Sequence, residues 1–574
     1  YSPRASILYR PTARTEFRLG WGQYYQAQET NELQLADGID DFFPAQRAEH
    51  FVLNVQRQLR HDMAAELSVF RKSFRTLRPR YSKKVIVSFV FIAIGGVCLL
   101  FADLTVTTLE PWTELGRMVR GLAKPDFFAI DTIGTAILQT IAFALVGVAL
   151  AAVAGFVLAQ FFHIGPVRWA CAFVRAIHEL FWALIFLQVL GLSPLTGVLA
   201  IAIPYAGICA KVYAETFEEA PPAAFKALPA GVSTISAFFF VRLPDAWAHI
   251  KSYTLYRFEC GLRSSAVLGF VGLPTLGYYL QTAFSEGNYS EAAAQLIMFY
   301  VIIASLRLWM KPKLVGLYLL VAPFLLGGAS QIRWNNVVRF VTEDIVPAPL
   351  RNADLLGPQA WSALGDWLVM MLTDQALPGI IATVVLTQIA LVATAFLTLA
   401  FFPLISTKFF GRFGRGVGHL FLVVMRSTPE FILVYIFLQL WGPSMLPAIV
   451  ALALHNGAII GHLLGRYSDE IRLRPDSPQG LNLYAFEIVP RMYGQFLAYL
   501  FYRWEIIMRE TAILGVLGIA TLGFYIDSAI ADIRLDRVML LLLVTALLNL
   551  GIDSLSRLIR ARLRLSTRIE SCQT

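Results

Sequence analysis

Ile133–Phe162 and Leu377–Ile405 each run without one charged residue. A helix needs about 20 apolar residues to cross the hydrocarbon core of a bilayer, and both runs exceed that. The rest of the chain cannot shield them. Of 574 residues, 57% are hydrophobic and 15% charged, whereas soluble domains carry roughly 25% charge. An all-α integral membrane protein is expected. A transmembrane barrel is not, because barrel strands alternate apolar and polar residues over about ten positions.

The net charge of +9 sits mostly in tails and loops, where it sets orientation by the positive-inside rule; nucleic acid is not an expected partner. Cys98, Cys171, Cys209, Cys260 and Cys572 are scattered with no CxxC pair, so neither a disulfide framework nor a zinc site is indicated. No HExxH and no GxxxxGK[ST] occur, which leaves no metal motif and no ATP-binding loop. No catalytic residue, metal ligand or cofactor is expected in the chain.

Residues 1–84 are polar, with no apolar core and cleavage site of a signal peptide. They read as a cytoplasmic extension, partly helical along the membrane surface. Twelve spans follow. The first six are Val85–Ala102, Ile133–Phe162, Arg168–Leu190, Gly197–Val212, Ala266–Thr282 and Ala292–Leu306. The second six are Leu314–Ala329, Leu377–Ile405, Val417–Leu440, Leu446–Leu464, Thr511–Ala529 and Val538–Leu550. Lys83 and Lys84 before the first span, and Arg557, Arg560, Arg562 and Arg564 after the last, place both ends in the cytoplasm.

The chain repeats itself. RFECGLRSSAVLGFVGLPTLGYYL from Arg257 returns as RWEIIMRETAILGVLGIATLGFYI from Arg503, at an offset of 503 − 257 = 246. Arg175 and Glu179 return as Arg426 and Glu430 at 426 − 175 = 251, so five residues are lost between Glu470 and Arg503. The expectation is two parallel halves of six spans, 85–312 and 313–566, followed by a tail at 567–574. Parallel repeats related by an axis along the membrane normal leave a central pathway.

Four groups of residues carry the chemistry. Arg175/Glu179 and Arg426/Glu430 are spaced i, i+4, which puts each pair on one helical face. Charges inside a bilayer face a partner or a polar cavity. Here they either brace helices or line a pathway in which arginine meets an anion, since its fork binds two oxygens at once. Glu259/Arg263 and Glu505/Arg509 repeat the spacing, followed by Ser264 and by Glu510-Thr511, placed to face the pathway. Gly269, Gly272 and Gly277, with Gly515, Gly518 and Gly523, allow close helix approach or bending. The insertion EEAPPAAFKALPAGVSTISAFFFVRLP at Glu218–Pro244, inside the loop 215–250, carries Glu218, Glu219, Gly231, Leu243 and Pro244. Its second copy lies in 467–502 and runs from Asp469 and Glu470 to Pro490. It is shorter, lacks a glycine thirteen residues before Pro490 and contains Pro475 and Pro478.

Glu218–Pro244 resembles the EAA loop of ABC-importer permeases. RAIHELFWALIFLQVLGL, RSTPE at Arg426–Glu430, and the two YRFE and YRWE stretches are similar to permeases of phosphonate importers. His178 departs from that pattern where a proline would stand. The resemblance implies a type I importer permease fold with two units fused. It implies two separate ATPase subunits holding ATP and Mg²⁺ and docking on the two loops. A periplasmic binding protein would deliver a phosphonate, phosphite or phosphate across the bacterial inner membrane. The same architecture suits an amino-acid or betaine-like cargo. The residues themselves also admit an ion-coupled secondary transporter with protons on Glu179 or Glu430, or a membrane scaffold.

Overall fold

The computed structural model of the chain describes residues 2–27, 45–60, 63–74, 83–129, 132–219, 228, 231–327, 332–351, 358–473 and 476–565. Much of the first loop (220–227 and 229–230), Pro475 and the tail 567–574 lie outside them. The chain divides into two compact units, one built on its N-terminal segment and one on the helices from Ala93 onward.

Ahead of Lys83 the described residues of the first unit are not helical. Strands β1 (Arg4–Thr12), β2 (Thr15–Gln26), β3 (Gln46–Arg60) and β4 (Met63–Phe74) form an antiparallel sheet in sequence order. The all-α expectation fails here, and so does the reading of residues 1–84 as partly helical along the membrane surface, since the described part before Lys83 is strands. The signal is an alternation of period two. Ile7, Leu19, Leu53 and Val69 stand in one cross-strand row, and Tyr9, Phe17, Val55 and Leu67 in the next. The opposite face carries Arg18, Asn54 and Ser68 in register, with Asn54 donating to Ser68 at 2.9 Å. Averaged over 1–84, the two faces cancel into a polar composition.

The helices of ten or more residues are, in order, α1 (Lys83–Leu99), α2 (Pro111–Ala123), α3 (Ile133–Gln160), α4 (Gly165–Ala176), α5 (Glu179–Leu190), α6 (Pro194–Glu218), α7 (Leu243–Val267), α8 (Leu276–Ser285), α9 (Tyr289–Ala304), α10 (Val315–Leu325), α11 (Pro358–Met371), α12 (Leu377–Phe401), α13 (Arg412–Ser427), α14 (Glu430–Trp441), α15 (Met445–Glu470), α16 (Val489–Ile513), α17 (Leu522–Ala531) and α18 (Leu535–Arg562). The repeat is visible in this order: α3–α9 return as α12–α18. Among the described residues five helices are long and apolar enough to cross a membrane, or eight if each bent pair is one span. α10 is too short to cross alone.

Prolines leave a regular mark. π-turns at Phe238–Arg242, Leu372–Ala376 and Leu483–Ile488 each end two residues before Pro244, Pro378 or Pro490. A proline has no N–H for the carbonyl four residues back, and a widened turn absorbs the defect. The short helix ending at Leu243-Pro244 therefore runs on into α7 instead of standing alone.

The expected spans Ala266–Thr282 and Thr511–Ala529 are broken. α7 passes through a 3₁₀ turn, Leu268–Val271, to Gly272 at φ +92°; α16 does the same to Gly518 at φ +87°. The chain then folds back tightly. A Cβ on Gly277 would lie 1.7 Å from the Ala266 carbonyl oxygen, and one on Gly523 2.1 Å from that of Ala512. Gly269 and Gly515 meet the backbone nitrogens of Tyr278 and Phe524. Thr140 accepts from the Leu276 N–H at 2.9 Å and Thr383 from the Leu522 N–H at 3.0 Å.

Candidate functional site

α4 and α5 meet at 91°, and α13 and α14 at 95°. Ile177 and His178 are extended, as are Thr428 and Pro429. Proline drives the residue before it out of the helical region. In the first half His178 replaces it and caps α5, its Nδ1 accepting from the Leu180 N–H at 3.2 Å. Arg175 and Glu179 therefore do not share a helical face, and neither do Arg426 and Glu430. The i, i+4 reading is corrected by the two extended residues between them.

Arg175 turns instead to the other half, pairing with Glu505 at 2.7 Å and Asp553 at 3.0 Å. Helix C-termini leave carbonyls without donors, and side chains from the opposite half supply them. Arg509 donates to the Arg175 carbonyl at 3.0 Å, and Asn549 to that of Ala176 at 2.7 Å. The repeat-related contact also forms: Arg263 donates to the Arg426 carbonyl at 3.2 Å. Beyond that the halves differ. Among the described residues Arg426 makes no ion pair, and its Nε is buried without a hydrogen-bond partner. Asp553 and Asn549 align at offset 246 with Arg307 and Ile303, which supply no equivalent.

The two intramembrane glutamates have unlike surroundings. Glu179 accepts from the Ser264 hydroxyl at 2.6 Å, and Ser264 shares a 2.8 Å hydrogen bond with Tyr205. Glu430 faces two imidazoles, His178 Nε2 at 4.0 Å and His455 Nε2 at 3.7 Å. Where the first half has Ser264 and Tyr205, the second has Glu510 and Asn456, joined at 3.1 Å. Where the first half has His178 and Pro204, the second has Pro429 and His455. Tyr205 and Asn456 sit on α6 and α15, the equivalent apolar helices whose spans are 67% and 78% buried within the protein. Ionisable groups are rare in membrane-spanning helices and there face a partner or a polar cavity.

The other expected residues fall outside this centre. Thr511 donates into its own helix, to the Ile507 carbonyl at 2.7 Å. Glu259 makes no ion pair among the described residues. Glu218 ends α6 and Glu219 caps it. Gly231 has φ +98°, and Gly480, in the second loop, φ +63°, so the shorter loop also carries a left-handed glycine. Asp469 accepts from Ser406 Oγ at 2.9 Å and from the Thr407 N–H at 2.8 Å. It thereby braces the α12–α13 connection, while Glu470 is exposed at the end of α15. The sequence reading missed Tyr205, His455, Asn456, Asn549 and Asp553. Their signal was the His-Asn pair inside an apolar run and the i, i+4 pair Asn549/Asp553 in α18.

The phosphate-import permease protein PhnE of Mycolicibacterium smegmatis is 25% identical over 465 residues, covering 75% of this chain and 86% of its own. The phosphite transport system permease protein PtxC of Stutzerimonas stutzeri is 28% identical over 225 residues, 37% of this chain but 81% of its own. A protein of Escherichia coli K12 named for a cryptic phosphonate transport system permease is 28% identical over 109 residues, 19% of this chain and 89% of its own. No family model and no solved structure matches. The resemblance to phosphonate-type permeases thus extends along three quarters of a multi-pass membrane protein.

Proposed function

We propose that this relative of the phosphonate-type permeases is the membrane-spanning subunit of an ATP-driven importer for a phosphorus oxyanion: phosphonate, phosphite or phosphate. The similarity to permease proteins of phosphate-import and phosphite transport systems carries this reading. The convergence of Arg263 and Arg509 on the facing half supports it. Each guanidinium donates to a backbone carbonyl of the facing half through one nitrogen, and Arg263 also donates to Cys260 Sγ in its own helix at 3.2 Å; an oxyanion can take over such contacts with two oxygens at once. Arg175, clamped by two carboxylates, braces the halves; Arg426, with no ion pair among the described residues and its Nε unpartnered, is a further arginine that can meet the anion.

Two ABC ATPase subunits, holding ATP and Mg²⁺, dock on 215–250 and 467–502, whose left-handed glycines set the turns. A periplasmic binding protein delivers the anion, and both ends of the chain lie in the cytoplasm of a bacterial inner membrane. The chain itself makes and breaks no covalent bond. Proteoliposomes carrying the chain with its cognate ATPase and binding protein test this. ATP-dependent uptake of labelled phosphite, phosphate or methylphosphonate is expected, and none without the ATPase. Uptake that persists without the ATPase in an ion gradient overturns the reading in favour of a secondary transporter.

A further inference from the structure

Glu430, His455 and Glu510 come from three successive helices, α14, α15 and α16. They place one ligand-type atom each within 4.8 Å of one another. His455 Nδ1 lies 3.2 Å from the Met425 carbonyl oxygen. A carbonyl only accepts, so Nδ1 carries the hydrogen and Nε2 presents a lone pair. That lone pair points toward Glu430 Oε2 at 3.7 Å, too far for a hydrogen bond even were Nε2 protonated. Asn456, fully buried, gives its Nδ2 to Glu510 and leaves Oδ1 without any partner. Acceptors thus converge from three helices, with the Asn456 amide donating to Glu510 and His178 Nε2 4.0 Å from Glu430.

Glu179, Glu430 and Glu510 bring three carboxylates to this layer, and Arg263, Arg503 and Arg509 are the arginines whose charges reach them. Bringing acceptors together away from water is costly unless something positive lies among them. We propose that Glu430, His455 and Glu510 form a site for a divalent transition-metal ion, of the zinc or cobalt kind, in the second half alone. One imidazole and two carboxylates are a ligand set that zinc takes. Ligands about 2.0–2.2 Å from a tetrahedral ion stand roughly 3.4 Å apart, close to the Glu430–His455 separation. The wider separations close with a shift of about 1 Å in the carboxylates, whose terminal torsions are broad, the Glu510 end turning against its hydrogen bond from Asn456. The Nδ1–H to carbonyl bond is the outer contact that ligating histidines use to fix their tautomer. The first half has no such set, because Pro204 and Ser264 occupy the equivalent positions. The ion ties α14, α15 and α16 together beside Glu430, whatever the cargo.

The test uses the full chain in nanodiscs, stripped with chelator. Titration with Co²⁺, read by visible d–d absorption, and Zn²⁺ content by mass spectrometry after desalting are expected to give one ion per chain. Glu510→Ser, which installs the first-half residue, and His455→Asn are each expected to weaken binding more than about tenfold, as loss of a metal contact does. Zn²⁺ is expected to raise the thermal midpoint of the parent and not of either variant, which separates lost binding from lost folding. No bound ion in the parent overturns the site and leaves shared protons as the occupant. An unchanged ion content in both variants overturns it equally.

Discussion

Glu179 and Glu430 hold the same place in the repeat and sit in opposite chemistry. Glu179 is satisfied by a hydroxyl relay through Ser264 to Tyr205. Glu430 stands among His178, His455 and Glu510, with no hydrogen bond as short. The two backbones around them are alike: a helix, two extended residues, a turn of about ninety degrees and a new helix. Duplication has kept what the backbone requires, the extended pair and the left-handed glycines, while the polar residues between the halves have diverged. The histidines show this best, each half carrying one where the other has proline.

The comparison is broken hardest at the arginines. Arg175→Ala leaves Glu505 without its ion-pair partner and Asp553 with only Arg557 at 3.3 Å, and removing one partner of a buried pair costs about 3–5 kcal/mol. A large drop in thermal midpoint, or failure to accumulate, is expected. Arg426→Ala removes no ion pair and is expected to leave assembly near that of the parent while oxyanion uptake falls. Equal destabilisation by both would erase the difference between the halves.

The shared framework gives a smaller effect and should respond symmetrically. Gly277→Ala and Gly523→Ala drive a methyl group into a backbone carbonyl, an overpacking worth about 1–3 kcal/mol or more. Denaturation in nanodiscs should show similar losses, with Gly551→Ala, which meets open space, within about 0.5 kcal/mol of the parent. A loss confined to one half would mean that only one fold-back is tight.

The smallest effect belongs to the loops. Gly231→Ala and Gly480→Ala force a left-handed conformation on alanine, about 1–2 kcal/mol of local strain. ATP hydrolysis is expected to persist while uptake falls in both variants. A Gly480→Ala variant that transports normally would restrict coupling to the first loop.

The sequence reads best where a property is local. The apolar runs at 133–162 and 377–405 mark α3 and α12 to within a few residues, and the offsets 246 and 251 pair the six helices that follow in one half with six of the other. It reads worst where a few residues redirect the chain. The spacing of Arg175 and Glu179 is helical by count, yet Ile177 and His178 are extended and turn the two side chains toward different partners. The sheet at Arg4–Phe74 was hidden for a related reason: its apolar residues alternate, so neither a window average nor a helical period reveals them.

Run length and repetition by themselves determine that this chain enters a membrane, that it is double, and which charged residues enter with it. Burying long uncharged segments leaves no other solvent for them, and a repeated pattern folds into a repeated backbone. Only the tertiary structure decides which charges meet. Arg175 finds Asp553, 378 residues away, because a ninety-degree bend aims it out of its own half. Glu430, His455 and Glu510 converge because three successive helices pack against one another. Contacts of that kind depend on the bends and packing of whole helices, which no local period of the sequence specifies.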